Sequence, residues 1–96
     1  MQDKVVVVVG ATGGIGSALT RKLAPTEARL VLAARNSSAL QDLAAQLSVS
    51  KPVLTVPTDI TDRASVAALM EQTTAQFGKI DVLVNAAGAG ILKPYQ

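Results

Sequence analysis

Gly10, Gly13, Gly14 and Gly16 stand directly after five consecutive valines, Val5–Val9, and directly before a stretch with helical spacing. A run of β-branched residues reads as a buried strand. Glycine lets the backbone turn tightly and approach a ligand closely, because it has no Cβ. A helix start offers N–H groups without intrahelical partners and the positive end of a dipole. Strand, glycine-rich turn and helix in that order form a candidate cradle for the phosphates of a dinucleotide. Its candidate contacts are Gly10, Thr12, Gly13, Gly14, Ile15 and Gly16. The spacing is not G-x-G-x-x-G counted from Gly10, because position 12 is Thr. Gly10-x-x-x-Gly14-x-Gly16 and Gly10-x-x-Gly13-x-x-Gly16 both fit. The alternative is a glycine-rich connection with no ligand.

Strand and helix patterns alternate along the rest of the chain. Residues 4–9 predict the first strand. Residues 14–24 predict a helix with Ile15, Leu19 and Leu23 on one face, stopped by Pro25. Residues 28–34 predict the second strand. Residues 38–47 predict a helix with a stripe of Leu40, Leu43, Ala44 and Leu47, started by a capping box of Ser38 and Gln41. Residues 53–56, between Pro52 and Pro57, predict a short edge strand. Residues 62–77 predict a third helix with Val66, Leu69, Met70, Thr73 and Phe77 inward. Thr61 is its candidate N-cap and Gly78 its stop. Residues 80–84 predict a fourth strand, followed by a turn-rich segment and a short tail. This order implies an α/β fold with a parallel sheet and right-handed crossovers.

Composition agrees. Of 96 residues 49% are hydrophobic and 17% charged, while aromatics are only 2%. Val, Ala and Leu suit a parallel sheet covered on both faces. The length accommodates one small domain, residues 1–96. A net charge of +2 with scattered basic residues argues for neither nucleic acid nor a membrane surface as partner. Without Cys or His, disulfides, a thiol nucleophile and a His/Cys metal site are excluded. No signal peptide is read at the N-terminus, and a cytoplasmic location is the expectation.

The strand ends hold the remaining candidates. In a Rossmann-type unit an acidic residue after the second strand takes the ribose hydroxyls. Here that strand ends in Ala34, followed by Arg35 and Asn36. A small neutral residue leaves room for a 2′-phosphate and a guanidinium pairs with it, so NADP is favoured over NAD. The alternative is a solvated loop arginine. Asp59 and Ile60 follow the third strand. Asp59 either accepts from an adenine amino group or, with Asp62, favours the start of the third helix. After the fourth strand, Asn85, Ala86, Ala87 and Gly88 provide an amide and small residues beside which a cofactor fits.

Taken together, Gly10 to Gly16, Arg35, Asp59-Ile60 and Asn85-Ala86-Ala87-Gly88 resemble the short-chain dehydrogenase/reductase family. Its pattern is T-G-x-x-x-G-x-G, a basic residue in NADP-preferring members, D-[IV], and N-N-A-G. The departures are Val9 for Thr and Ala86 for the second Asn. The resemblance covers nearly the whole chain and implies a Rossmann-type sheet of order 3-2-1-4 with helices on both faces, incomplete relative to the family. It implies metal-free hydride transfer between an alcohol or ketone and NADP(H). The family's catalytic Asn, Ser, Tyr and Lys lie beyond the fourth strand, and its hallmark is Tyr-x-x-x-Lys. Tyr95 is the sole tyrosine and no lysine follows it, so no catalytic residue is assigned.

The expected function is the NADP(H)-binding portion of such an oxidoreductase, inactive by itself. A small-molecule substrate would then be handled only with a C-terminal half. The alternative is a nucleotide-binding module or NAD(P)-sensing protein without catalysis. The order 3-2-1-4 also leaves the fourth strand, residues 81–84, as an unpaired apolar edge. Self-association through that edge is expected.

Overall fold

The computed structural model describes residues 3–47, 52–86 and 91–94, the last four by their backbone. The elements are β1 (Val5–Val9), α1 (Gly14–Leu23), β2 (Arg29–Ala34), α2 (Ser37–Gln46), β3 (Leu54–Pro57), α3 (Arg63–Phe77), β4 (Val82–Asn85) and β5 (Ile91–Pro94). They form one sheet of order β3-β2-β1-β4-β5. The first four strands are parallel, with Val7 opposite Val31 and Leu83, and Ala33 opposite Val56. The 3-2-1-4 arrangement is therefore the observed one, and β1 lies inside it.

Every valine of β1 is buried, as the unbroken β-branched run requires. Successive side chains of a strand point to opposite faces. Val6 and Val8 pack with Leu30, Leu32, Leu40 and Leu43, beneath α1 and α2. Val5, Val7 and Val9 pack with Val31, Ala33, Val56 and Leu69, beneath α3. Each fully buried leucine contributes about 1.5–3 kcal/mol. The buried hydroxyls of Thr20 and Thr73 donate to the carbonyls of Gly16 and Leu69, one helical turn back.

Several local expectations are corrected. Ile15 does not join Leu19 and Leu23 on the inner face of α1; it is 61% exposed, while Gly16 and Thr20 are buried. An ideal Cβ on Gly16 would lie 2.1 Å from the Gly10 carbonyl oxygen. That close approach turns Gly16 toward the sheet and Ile15, one residue away, outward. Asn36, not Ser38, caps α2, its side chain accepting from Ala39 N–H at 3.0 Å. Asp62, not Thr61, caps α3, accepting from Ala64 N–H at 3.0 Å. Gly78 ends α3 in the left-handed region, with φ 81°.

The expected open edge at β4 is also corrected. β5 pairs antiparallel with β4, Leu83 opposite Lys93 and Asn85 opposite Ile91. The outer positions of the sheet belong to β3, which ends in Pro57, and to β5, which carries Lys93 and Pro94. Proline and lysine are residue types that blunt sheet edges.

At the amino end of the sheet, Asp81 extends the pairing of β1 with β4. Its carboxylate accepts the Val5 N–H at 2.8 Å, and its own N–H donates to the Val5 carbonyl at 2.9 Å. Lys79 Nζ lies 3.1 Å from the same carboxylate oxygen. The Val5 N–H first, and the Lys79 ammonium after it, hold the Asp81 carboxyl below the usual carboxylate range.

Candidate cofactor site

The parallel strands bring the ends of β1, β2 and β3 to one side of the molecule. Gly10 has φ 76°, a conformation that favours glycine. Its N–H and that of Ala11 both donate to the Ala33 carbonyl, at 2.8 and 3.1 Å. The chain is thereby bent off β1 across the end of β2. Gly13 then donates to the Gly10 carbonyl at 3.1 Å and serves as the N-cap of α1. Having no side chain, Gly13 makes no side-chain cap, and the first turn of α1 holds no acidic residue.

The cradle fits a pyrophosphate on two counts. A Cβ on Gly14 would meet nothing within 4 Å, so the space over the helix start is open. The N–H groups of Gly14, Ile15 and Gly16 are those a helix start leaves for an external acceptor. Gly16 has a different task. Its ideal Cβ would also meet the Gly10 carbonyl carbon at 2.8 Å and the Ala11 Cα at 2.9 Å. It lets the helix sit against the turn.

A concavity of about 300 Å³ runs across the strand ends, lined by Gly10, Thr12, Ala34, Arg35, Thr58 and Ile60, among others. Ile60 is 40% exposed there. Thr58 is buried, and sequence reading missed it. Its N–H donates to the Ala34 carbonyl and its hydroxyl to the Val56 carbonyl, which carries the strand pairing one residue past β3. No chemical signal marks Thr58, because its place follows from the register of β2 and β3. A second, smaller concavity lies between α1 and α2 and meets the site at Thr12.

Arg35 and Asp59 meet at this concavity. Arg35 NH2 lies 3.3 Å from Asp59 Oδ1. The same oxygen accepts the Thr61 hydroxyl at 2.6 Å and the Thr61 N–H at 2.9 Å. The Thr61 hydroxyl, then its N–H, with the Arg35 guanidinium adding less, hold the Asp59 carboxyl below its ordinary range. Asn36 is adjacent in sequence but turned to its capping task. Asn85 pairs with Val9 at the end of β4 and is exposed. Ala86 N–H donates to the Val9 carbonyl at 2.8 Å. Ala87 and Gly88 lie outside the described residues.

A doubly wound sheet with a glycine-rich turn into α1 and a crevice across its carboxyl ends defines the class of dinucleotide-binding α/β proteins. Comparison with known proteins narrows this. The chain belongs to the short chain dehydrogenase family, whose model matches residues 4–96. It is 43% identical over 88 residues to an uncharacterized oxidoreductase of Staphylococcus aureus, covering 92% of this chain and 38% of that protein. The chain thus spans well under half the length of such relatives. Among solved structures it is similar to L-sorbose reductase from Gluconobacter frateurii complexed with NADPH and L-sorbose. That match has a TM-score of 0.83 and 35% identity, over 95% of this chain and 35% of the other. It is also similar to 3-ketoacyl-(acyl-carrier-protein) reductase from Brucella melitensis complexed with NADH. There the TM-score is 0.79 and the identity 30%, over 86% of this chain and 34% of the other. No helix among the described residues is long and apolar enough to cross a membrane.

Proposed function

We propose that this chain is the NADP(H)-binding portion of an oxidoreductase that interconverts alcohols and ketones. The observation that carries the cofactor choice is Arg35 at the mouth of the concavity, beside Ala34 rather than an acid. A carboxylate at the end of β2 would repel a 2′-phosphate, whereas a guanidinium pairs with it. The NADPH bound by the L-sorbose reductase supports this reading. The NADH bound by the 3-ketoacyl reductase shows that the family match alone does not choose.

The residues divide the work by position. The N–H groups of Gly14, Ile15 and Gly16 receive the pyrophosphate, and Arg35 receives the 2′-phosphate. Ile60 and Thr58 line the wall where an adenosine would lie, and Asp59 stands beside it as acceptor for an adenine amino group. A bound nicotinamide cofactor supplies or accepts the hydride. The 96 residues hold no Tyr-x-x-x-Lys, so the proton transfer that accompanies reduction is assigned to residues outside them.

Calorimetric titration tests the cofactor choice. NADPH binds more tightly than NADH, and Arg35→Asp abolishes the preference. Replacing a charge-assisted pair of about 1.5–3 kcal/mol by a repulsion shifts the affinity ratio by roughly tenfold or more. Equal affinities in the unsubstituted chain would defeat the NADP assignment.

A further inference from the structure

The pairing of Arg35 with Asp59 has a consequence for selectivity that neither residue suggests alone. The two bonds from Thr61 fix the Asp59 carboxylate from within its own turn. Arg35 is the looser partner. Its side chain is 69% exposed, and it reaches Asp59 through one nitrogen at 3.3 Å, longer than a strong charge-assisted bond of about 2.7–2.9 Å. A guanidinium carries five donors in a planar fork, and a phosphate monoester can take two of them side by side. The carboxylate therefore occupies, weakly and singly, the group that a 2′-phosphate would engage doubly.

We propose that Asp59 is the resting partner of Arg35 and thereby limits the preference for a 2′-phosphorylated cofactor. This rests on the NADP(H) reading above but makes a separate claim. A phosphate arriving at Arg35 must first break the guanidinium's contact with a fixed carboxylate. A cofactor with a plain ribose displaces nothing. Asp59 thus acts on selectivity through Arg35, as a positioning residue. The sequence expectation that Arg35 simply awaits a phosphate omits this competitor, which lies 24 residues further along the chain.

A double-mutant cycle tests the proposal on the full chain, with NADPH and NADH affinities measured by fluorescence titration for Asp59→Asn, Arg35→Met and the double variant. Asn keeps an oxygen for the two Thr61 bonds and removes the charge. The readout is the ratio of the two affinities, in which any contact of Asp59 with the adenine common to both cofactors cancels. Asp59→Asn raises the NADPH/NADH ratio about two- to fivefold, the scale of an exposed ion pair. In the Arg35→Met background the same substitution leaves the ratio unchanged. A gain that persists there means direct carboxylate–phosphate repulsion and overturns the pairing mechanism. A wild-type preference that Asp59→Asn leaves untouched overturns this proposal alone. Equal wild-type affinities with a preference that emerges in Asp59→Asn overturn the NADP reading of the native chain and uphold the masking of Arg35. No preference in either protein overturns both.

Discussion

Asp81 and Asp59 stand at opposite ends of the same sheet and are built alike. Each carboxylate takes a backbone N–H, each lies within reach of a cation, and each is held below its ordinary range by its hydrogen bonds. Their partners differ. Asp81 takes the N–H of Val5, the first residue of the central strand, and so joins β4 to β1 where the chain enters the sheet. Asp59 takes bonds from Thr61, two residues away, and shares Arg35 at an open concavity. One carboxylate joins two strands; the other is tied within its own turn, beside an arginine that lines the concavity. A lowered carboxyl is therefore not a mark of function by itself, and the location of its donors separates the two cases.

The strongest break in this comparison is at the carboxyl end. Gly16→Val drives a branched side chain into the Gly10 and Ala11 backbone, where even a Cβ would come within 2.1 Å of the Gly10 carbonyl oxygen. Overpacking of this kind costs about 1–3 kcal/mol and occasionally more. The variant loses its cooperative unfolding transition by circular dichroism and binds no cofactor. A well-folded Gly16→Val would show that α1 does not need this contact. Gly14→Ala separates binding from folding. Its Cβ meets nothing in the structure, so thermal stability holds or rises by up to about 1 kcal/mol. NADPH affinity falls by about tenfold, near 1.4 kcal/mol. Unchanged affinity would move the phosphates away from the helix start.

Asp81→Asn probes the amino end and has a smaller effect. It lowers the denaturant midpoint at neutral pH and leaves the NADPH/NADH ratio alone, the reverse of what is expected at Asp59. The sign of the pH dependence follows from the lowered carboxyl. The stability it contributes is fully present above the unfolded value of about 3.9 and is lost as pH falls through the lower folded value. The gap between wild type and variant therefore closes on acidification. A gap that stays constant down to the acid transition would exclude a charge effect. The smallest test concerns the α2 cap at the edge of the site. Asn36→Ala costs about 1 kcal/mol in urea denaturation, and Ser38→Ala stays within about 0.5 kcal/mol. The opposite order would restore Ser38 as the cap.

The amino-acid sequence by itself determined the parts whose physics is local. Five β-branched residues in a row exclude an amphipathic helix and require a strand buried on both faces, which Val5–Val9 is. Glycines at positions 10 and 16 mark a backbone that must turn with positive φ and then admit a helix at contact distance. The alternation of strand and helix patterns restricts the sheet to parallel crossovers, and Gly78 after an apolar stripe ends α3. Tertiary structure alone decided the rest. Ile15 fits the helical period of Leu19 and Leu23, yet the closeness of Gly16 to the turn rotates it to the surface. Ser38 and Thr61 are good capping types, but Asn36 and Asp62 hold the cap geometry. The bond of Asp81 to Val5 joins residues 76 apart in the chain, and β5 takes the edge beside β4 in a segment whose sequence reads as turn and tail. These outcomes depend on strand register and helix rotation, which place side chains from distant segments together. Neither period nor composition specifies that placement, and it is what brings Arg35 and Asp59 into contact at the mouth of the site.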